Sequence, residues 1–275
     1  MRQRATSAAI LVPILLIVVV LGGPAVSAVV AILTGIGAIE VFRLLRAAGY
    51  GSLPALGVVL ALAVVLDASF PQVLDGSGML LAAVGILLAG VASFTRSDPR
   101  DGVETWMTTV FGAFYVSLLS FVIRLGHAAP VVPDGAPLAA LGGERGWILL
   151  LVLGVWAYDT GAFLVGRRFG RARFLTHLSP SKTYAGLLGG VVATVVVVAA
   201  MLWGLGQSPG HALALGPLLG FAAQAGDLAE SAIKRAAGAK DSGRLLPGHG
   251  GMLDRIDSFL FAAPIATLYV VAVLA

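Results

Sequence analysis

The side chains best suited to chemistry begin at Asp227, inside a strongly apolar part of the chain. Asp227, Glu230, Ser231 and Lys234 fall at helical spacings, so a helix would present them as one polar stripe. Such a stripe either lines a cavity within a membrane helix or forms an ion-pair face at a helix end. Only the cavity interpretation predicts further carboxylates nearby.

Further carboxylates do follow, after a glycine-rich loop. Asp254 and Asp257 are three residues apart at the start of the next apolar segment, so they occupy neighbouring positions on one helix. Together with Asp227 they can converge on one site, where three unpaired carboxylates would repel one another. Oxygen ligands without cysteine favour Mg²⁺ or Mn²⁺ over zinc. We therefore expect these three residues to bind a hard divalent metal.

Cationic and hydroxyl side chains cluster in two loops near these acids. Glycines at 243, 248, 250 and 251 would let backbone amides approach a ligand, and such amides, with cations and a metal, suit a polyphosphate. Lys182 alone could equally serve membrane topology, but its neighbouring hydroxyls favour contact with phosphate. The expected phosphate-binding residues are Ser179, Ser181, Lys182, Thr183, Lys234, Arg235, Lys240 and Arg255.

Other acidic residues have simpler explanations. Glu40 lies three residues before Arg43 near the end of an apolar segment, which favours an ion pair at the membrane surface. Asp67 and Asp75 flank a turn and are expected to be solvated. Asp159 is harder to explain, because it lies inside an apolar segment well before the next charged residue. A functional role and a structural role are both open for it.

The composition shows what kind of element must position these residues. Of 275 residues, 58% are apolar and 12% are charged, whereas soluble domains carry about 25% charged residues. An ordinary soluble domain and a disordered chain are therefore excluded, and the absence of cysteine excludes disulfides and cysteine-bound zinc. The net charge of +4 is typical of basic cytoplasmic loops, so we expect a lipid bilayer and no nucleic acid as partner.

Charge-poor segments long enough to cross about 30 Å of hydrocarbon occur nine times. An all-α, polytopic integral membrane protein with about nine transmembrane helices is therefore predicted. A signal peptide is the alternative for the first segment, but another apolar segment follows it instead of a polar domain. The segments cover residues 5–22, 25–42, 53–70, 77–95, 104–123, 147–166, 184–206, 211–233 and 257–275.

The lysines and arginines give this arrangement a direction. With nine spans, all of the 18 cations except Arg124 and Arg145 lie on one side, so the N-terminus is expected to be cytoplasmic and the C-terminus outside. Residues 1–146 then form an N-terminal region of about five spans. Residues 147–275 form a catalytic region of about four spans, with cytoplasmic loops at 167–183 and 234–256.

Residues 231–257 resemble a known signature, SAIKRAAGAKDSGRLLPGHGGMLDRID. This run is similar to that of the phosphatidate cytidylyltransferases, also called CDP-diacylglycerol synthases. Weaker similarity continues through the segments that begin at Asp159 and Ser179, so that residues 147–260 are covered. The resemblance implies an enzyme of the bacterial inner membrane that converts CTP and phosphatidate into CDP-diacylglycerol and pyrophosphate with Mg²⁺, at the cytoplasmic face.

The resemblance also implies roles for single residues. Asp227 and Asp254 match the family's metal-binding carboxylates, and Asp257 is implied as a neighbour or as a ligand of a second cation. One departure is visible, because relatives commonly carry glutamate where this chain has Ala185. The catalytic set implied is Asp227, Lys234, Asp254 and Asp257, while Lys240, Asp241 and His249 match further signature positions and are assigned to substrate binding.

Two other classes of protein remain as alternatives. A cation-coupled membrane transporter would explain the intramembrane acids but not the basic, glycine-rich loop beside them. A CDP-alcohol phosphatidyltransferase also uses clustered aspartates, yet the Asp-Gly-x-x-Ala-Arg pattern of that family is missing. Small residues such as Gly186, Gly189 and Gly190 allow close helix packing within one chain or in a homodimer.

Overall fold

The computed structural model describes residues 13–72, 77–243 and 250–274 of the chain. These residues are almost entirely helical and contain no β-strand, apart from an isolated bridge between Arg173 and Thr183. The prediction of an all-α fold is confirmed. The helices are α1 (helical over 13–21), α2 (Gly23–Ala47), α3 (Pro54–Ser69), α4 (Ser77–Ser93), α5 (Pro99–Ser117), α6 (Phe121–Ala128), α7 (Gly142–Phe169), α8 (Tyr184–Gly204), α9 (Ala212–Ala236) and α10 (Leu253–Tyr269).

Among the described residues, six helical stretches are long and apolar enough to cross a membrane, which makes this an integral membrane protein. Two further apolar helices, α3 and the part of α4 from Leu80 to Ser93, are shorter. At 1.5 Å per residue, the 16 residues of α3 extend only about 24 Å. Most of the first predicted span, 5–22, lies outside the described residues. The six long stretches are Gly23–Ala47, Pro99–Ala128, Ala139–Phe169, Tyr184–Gly204, Pro209–Ala236 and Leu253–Leu274.

Local sequence signals set two of the helix boundaries. Gly22 adopts a positive φ of 84°, which glycine tolerates without strain, and it separates α1 from α2 where the sequence predicted a break. Thr183 is the N-cap of α8, and its hydroxyl accepts a hydrogen bond from the Gly186 amide at 3.1 Å. The predicted phosphate-binding loop therefore ends in a capped helix.

Close packing of α7, α8, α9 and α10 fixes the region that carries the acids. A Cβ on Gly190 would lie 2.6 Å from the buried Tyr158 ring, so α7 and α8 approach closely inside one chain. Gly226 likewise lies against the backbone of Asp257 and Ser258, where a Cβ would be 3.1 Å from Ser258 Cα. The crossing of α9 and α10 therefore sits directly beside Asp227 and Asp257.

One acid expected to be solvated is buried instead. Asp67 on α3 is 5% exposed, and its carboxylate accepts a hydrogen bond from Arg124 on α6 at 2.6 Å. The expectation for Asp67 is wrong because packing between α3 and α6 removes it from solvent and supplies an ion-pair partner. Asp75 lies outside the described residues.

Candidate functional site

Two lysines connect the acids predicted for the site. Lys182, in the loop before α8, forms an ion pair with Asp227 on α9. Lys234, one turn after Glu230 on α9, contacts Glu230 and lies 2.7 Å from Asp254 Oδ1 on α10. The α7–α8 loop, α9 and the start of α10 therefore meet at one charged cluster, as the sequence predicted.

Asp254 is held by donors on both of its oxygens. Oδ1 accepts from Lys234, whereas Oδ2 accepts from the Gly251 amide at 2.8 Å and the Ser242 amide at 2.9 Å. The Ser242 hydroxyl also lies 2.9 Å from Oδ2. Gly250 has a φ of 78°, and a Cβ there would be 2.6 Å from Oδ2. Glycine at position 250 therefore lets the loop backbone approach the Asp254 carboxylate closely.

Glu40 reaches the same loop from α2. Its Oε2 accepts from the Leu253 amide at 2.8 Å and lies 2.9 Å from the Ser242 hydroxyl, and its Oε1 accepts from the Met252 amide at 3.0 Å. Its side chain is buried, at 3% exposed. The predicted surface ion pair with Arg43 is therefore wrong, because two amides at the start of α10 and the Ser242 hydroxyl of the preceding loop surround the Glu40 carboxylate.

Sequence reasoning missed this role of Glu40, although one signal was present. The N-cap of α10 is Met252, which offers no side-chain acceptor, while the first amides of any helix need acceptors from elsewhere. A buried carboxylate also suits the positive end of the helix dipole. The available clue was a helix start without a side-chain cap, together with a carboxylate, Glu40, in another apolar segment.

Glu230 is more buried than the polar-stripe interpretation suggested. Its side chain is fully buried, and neither oxygen has a hydrogen-bond partner in the described part of the chain. Lys234 is its ion-pair partner, and the charges of Asp254 and Asp257 lie close enough to act on it. Asp257 in turn accepts a hydrogen bond from the Ser258 amide at 2.6 Å and is near the charge of Asp227.

The predicted metal ligands are near one another, but they do not form a closed ligand set. Within residues 13–72, 77–243 and 250–274, no group of three His, Cys, Asp or Glu side chains could hold a metal ion. Asp227 is contacted by Lys182, and Asp254 already receives several donors. A metal bound by Asp227, Asp254 and Asp257 therefore stays a prediction.

The remaining predicted binding residues differ in their surroundings. Arg235 donates to the backbone carbonyls of Leu178 at 3.1 Å and Ala239 at 3.0 Å, which ties the two basic loops together. The Ser179 amide donates to the Leu175 carbonyl at 3.0 Å. Lys240, Asp241 and Arg255 are exposed. His249 lies outside the described residues.

A cavity of about 310 Å³ lies beside the cluster. Its polar lining includes Asp159, Arg167, Ser181, Lys182 and Gln224. The charges of Lys182, Asp227 and Arg255 act on Asp159. The intramembrane acid that the sequence left unexplained therefore faces a cavity next to the charged cluster.

The fold and the site together define a polytopic helical membrane protein with acids and lysines gathered where several helices end. Residues 2–273 match the cytidylyltransferase family. Because this match covers nearly the whole chain, the protein belongs to that family. The resemblance noted in the 231–257 signature is confirmed.

Relatives named phosphatidate cytidylyltransferase are similar to this chain, two of them over most of its length and one over about half. A phosphatidate cytidylyltransferase of Synechocystis is 34% identical over 293 residues, covering 99% of this chain and 97% of the relative. Phosphatidate cytidylyltransferase 4, chloroplastic, of Arabidopsis thaliana is 36% identical over 279 residues, covering 92% and 69%. A phosphatidate cytidylyltransferase of Staphylococcus aureus is 42% identical over 127 residues, covering 46% and 49%.

Proposed function

We propose that this membrane protein is an enzyme that transfers the cytidylyl group of CTP to phosphatidate, giving CDP-diacylglycerol and pyrophosphate. The observation that carries the proposal is the family match over residues 2–273, with full-length relatives named phosphatidate cytidylyltransferase. The lysine and carboxylate cluster adds chemical support, because polyphosphate transfer depends on positioning and on charge neutralisation. A cation-coupled transporter has no comparable support.

In the proposed reaction, a phosphate oxygen of phosphatidate attacks the α-phosphorus of CTP. The new P–O bond forms as the bond to the bridging oxygen of the β-phosphate breaks, and pyrophosphate leaves. A phosphate monoester is already anionic near neutral pH, so no strong general base is needed and His249 receives no such role. Lys182 and Lys234 are placed to exchange their carboxylate partners for phosphate oxygens.

We propose that Asp227, Asp254 and Asp257 hold Mg²⁺ or Mn²⁺, with a second cation in the same cluster. Carboxylate oxygens suit a hard cation, and among the ion pairs of the described residues only two lysines, Lys182 and Lys234, balance the charge of these acids and Glu230. When bound, the metal would neutralise part of the triphosphate charge.

The proposed site lies on the cytoplasmic face of the bacterial inner membrane, in a chain with nine spans and a cytoplasmic N-terminus. Two contacts support a shared side for the basic loops, since Arg235 donates to Leu178 and Lys182 pairs with Asp227. Phosphatidate would keep its acyl chains in the bilayer while CTP arrives from water. Gly190 packs against Tyr158 of its own chain, so this glycine gives no support for a homodimer, which stays a prediction.

The decisive experiment incubates the purified protein in detergent with phosphatidate, radiolabelled CTP and Mg²⁺, and measures label in the lipid phase. Wild type should label the lipid, EDTA should stop the reaction, and added Mg²⁺ should restore it. Asp227→Asn and Asp254→Asn should each lower turnover at least a hundredfold, while Asp134→Asn in an exposed loop should not. Unlabelled lipid with wild type, beside a working reference enzyme, would refute the assignment.

A further inference from the structure

The cavity lined by α7, α8 and the loop between them extends along α7 beyond the residues that the proposed reaction uses. It is lined by Arg167, two residues before the end of α7, and by Asp159, eight residues earlier. At 1.5 Å per residue, these positions are about 12 Å apart along the helix. Ser181 and Lys182 line the loop side of the cavity, and Phe163 contributes an aromatic wall.

The end of the cavity farther from the α7–α8 loop, called the deep end here, presents two polar groups that have no ion pair or no hydrogen-bond partner among the described residues, namely the exposed Asp159 carboxylate and the buried Gln224 amide. Gln224 is 5% exposed, and its Oε1 accepts a hydrogen bond from the Tyr158 hydroxyl at 2.9 Å. Its Nε2 amide has no hydrogen-bond partner in the part of the chain that the structure describes. In that same part, Asp159 forms no ion pair within 4.0 Å. A buried amide of this kind normally finds a partner, so a ligand is expected to supply it.

We propose that this cavity binds the cytosine base of CTP, an inference that rests on the proposed function. Asp159 accepts hydrogen bonds from the exocyclic amino group of cytosine, and Gln224 Nε2 donates to the adjacent ring nitrogen or carbonyl oxygen. Tyr158 orients Gln224 through the hydroxyl contact. The ribose and phosphates extend toward Lys182 and Ser181, which leads the α-phosphorus to the charged cluster.

The chemistry of the deep end favours a base over the lipid substrate. A phosphate of phosphatidate would meet the negative charge of Asp159, which lines this cavity. Uracil carries a carbonyl oxygen where cytosine carries its amino group, so that oxygen would face the Asp159 carboxylate. A site that binds an N–H group in this way discriminates strongly against an analogue lacking it.

The test compares CTP with UTP in the lipid-labelling assay, for Asp159→Asn, Gln224→Leu and the control Asp134→Asn. Asp159→Asn should lower kcat/KM for CTP at least tenfold and reduce the CTP-to-UTP preference at least tenfold, because asparagine can donate to the uracil carbonyl. Gln224→Leu should raise KM for CTP at least tenfold and leave KM for phosphatidate unchanged. Asp134→Asn should match wild type in all three quantities.

An unchanged CTP-to-UTP preference in Asp159→Asn, or an unchanged KM for CTP in Gln224→Leu, would overturn the proposal. If Asp159→Asn does not fold, Gln224→Leu alone decides the outcome. Equilibrium dialysis of labelled CTP and UTP against wild type tests the cytosine site separately from the proposed transfer reaction. Selective CTP binding that Gln224→Leu weakens at least tenfold, without lipid labelling by wild type, would refute the transfer reaction and support the base site.

Discussion

Replacing Glu40 with alanine should loosen the start of α10 and misplace Asp254. The Glu40 carboxylate accepts hydrogen bonds from the Met252 amide at 3.0 Å and the Leu253 amide at 2.8 Å, and it shares the single Ser242 hydroxyl proton, 2.9 Å away, with Asp254. Hydrogen bonds to a charged group contribute about 1.5–3 kcal/mol each. Because half-buried Met252 can regain water, the net loss from the two amide hydrogen bonds should be about 3–5 kcal/mol.

The measurement pairs thermal unfolding in detergent with the transfer assay. A loss of this size should lower Tm by roughly 10 °C in a chain of this length, and turnover should fall because Asp254 shares Ser242 with Glu40. Glu40→Gln keeps one oxygen acceptor and should lose about half as much stability. Asp101→Ala removes an exposed acid from the first turn of α5 and serves as the matched control.

Two outcomes would contradict the capping of α10 by Glu40. Equal unfolding temperatures for Glu40→Ala and Asp101→Ala, with wild-type turnover in both, would show that Glu40 does not cap α10. Loss of turnover with an unchanged Tm would instead place Glu40 in substrate contact and refute the capping argument.

Three further substitutions test other parts of the site. Gly226→Ala should destabilise the protein by about 1–3 kcal/mol, measured as Tm, because the new Cβ meets the Asp257 backbone; an unchanged Tm would contradict the close crossing. Thr183→Ala should cost about 1 kcal/mol through the lost cap, whereas Thr183→Ser should recover most of it. Arg235→Ala should speed proteolysis of the 170–183 loop by releasing the Leu178 carbonyl, with little change in Tm; unchanged cleavage would argue against this contact.

Much of the helical framework could be predicted from hydropathy. Apolar length identified the six long helices, and Gly22 marked the break between α1 and α2. The predicted segment 53–70 agrees closely with α3, but the burial of Asp67 near its end was not predictable. That acid is buried by a partner on α6, and a contact 57 residues away leaves no periodic signal in the sequence.

The site was predictable where its contacts are local. The spacing of Glu230 and Lys234 on one helix left an ion-pair face as one of two interpretations, and the two residues do pair. The signature placed Asp254 near them. Glu40 was not predictable in the same way, since 202 residues separate it from Ser242. Its role depends on how α2 packs against the last described helix, and helical periodicity contains no information about that packing.

The capping of α10 by Glu40 has a consequence for synthesis of the chain. Glu40 precedes its partner Met252 by 212 residues, which takes about 10–40 s at typical translation rates. During that interval a carboxylate in an apolar helix has none of its final donors, a costly state within a membrane. Glu40 is therefore synthesised long before its donors, and the early helices must keep its carboxylate hydrated until α10 is made.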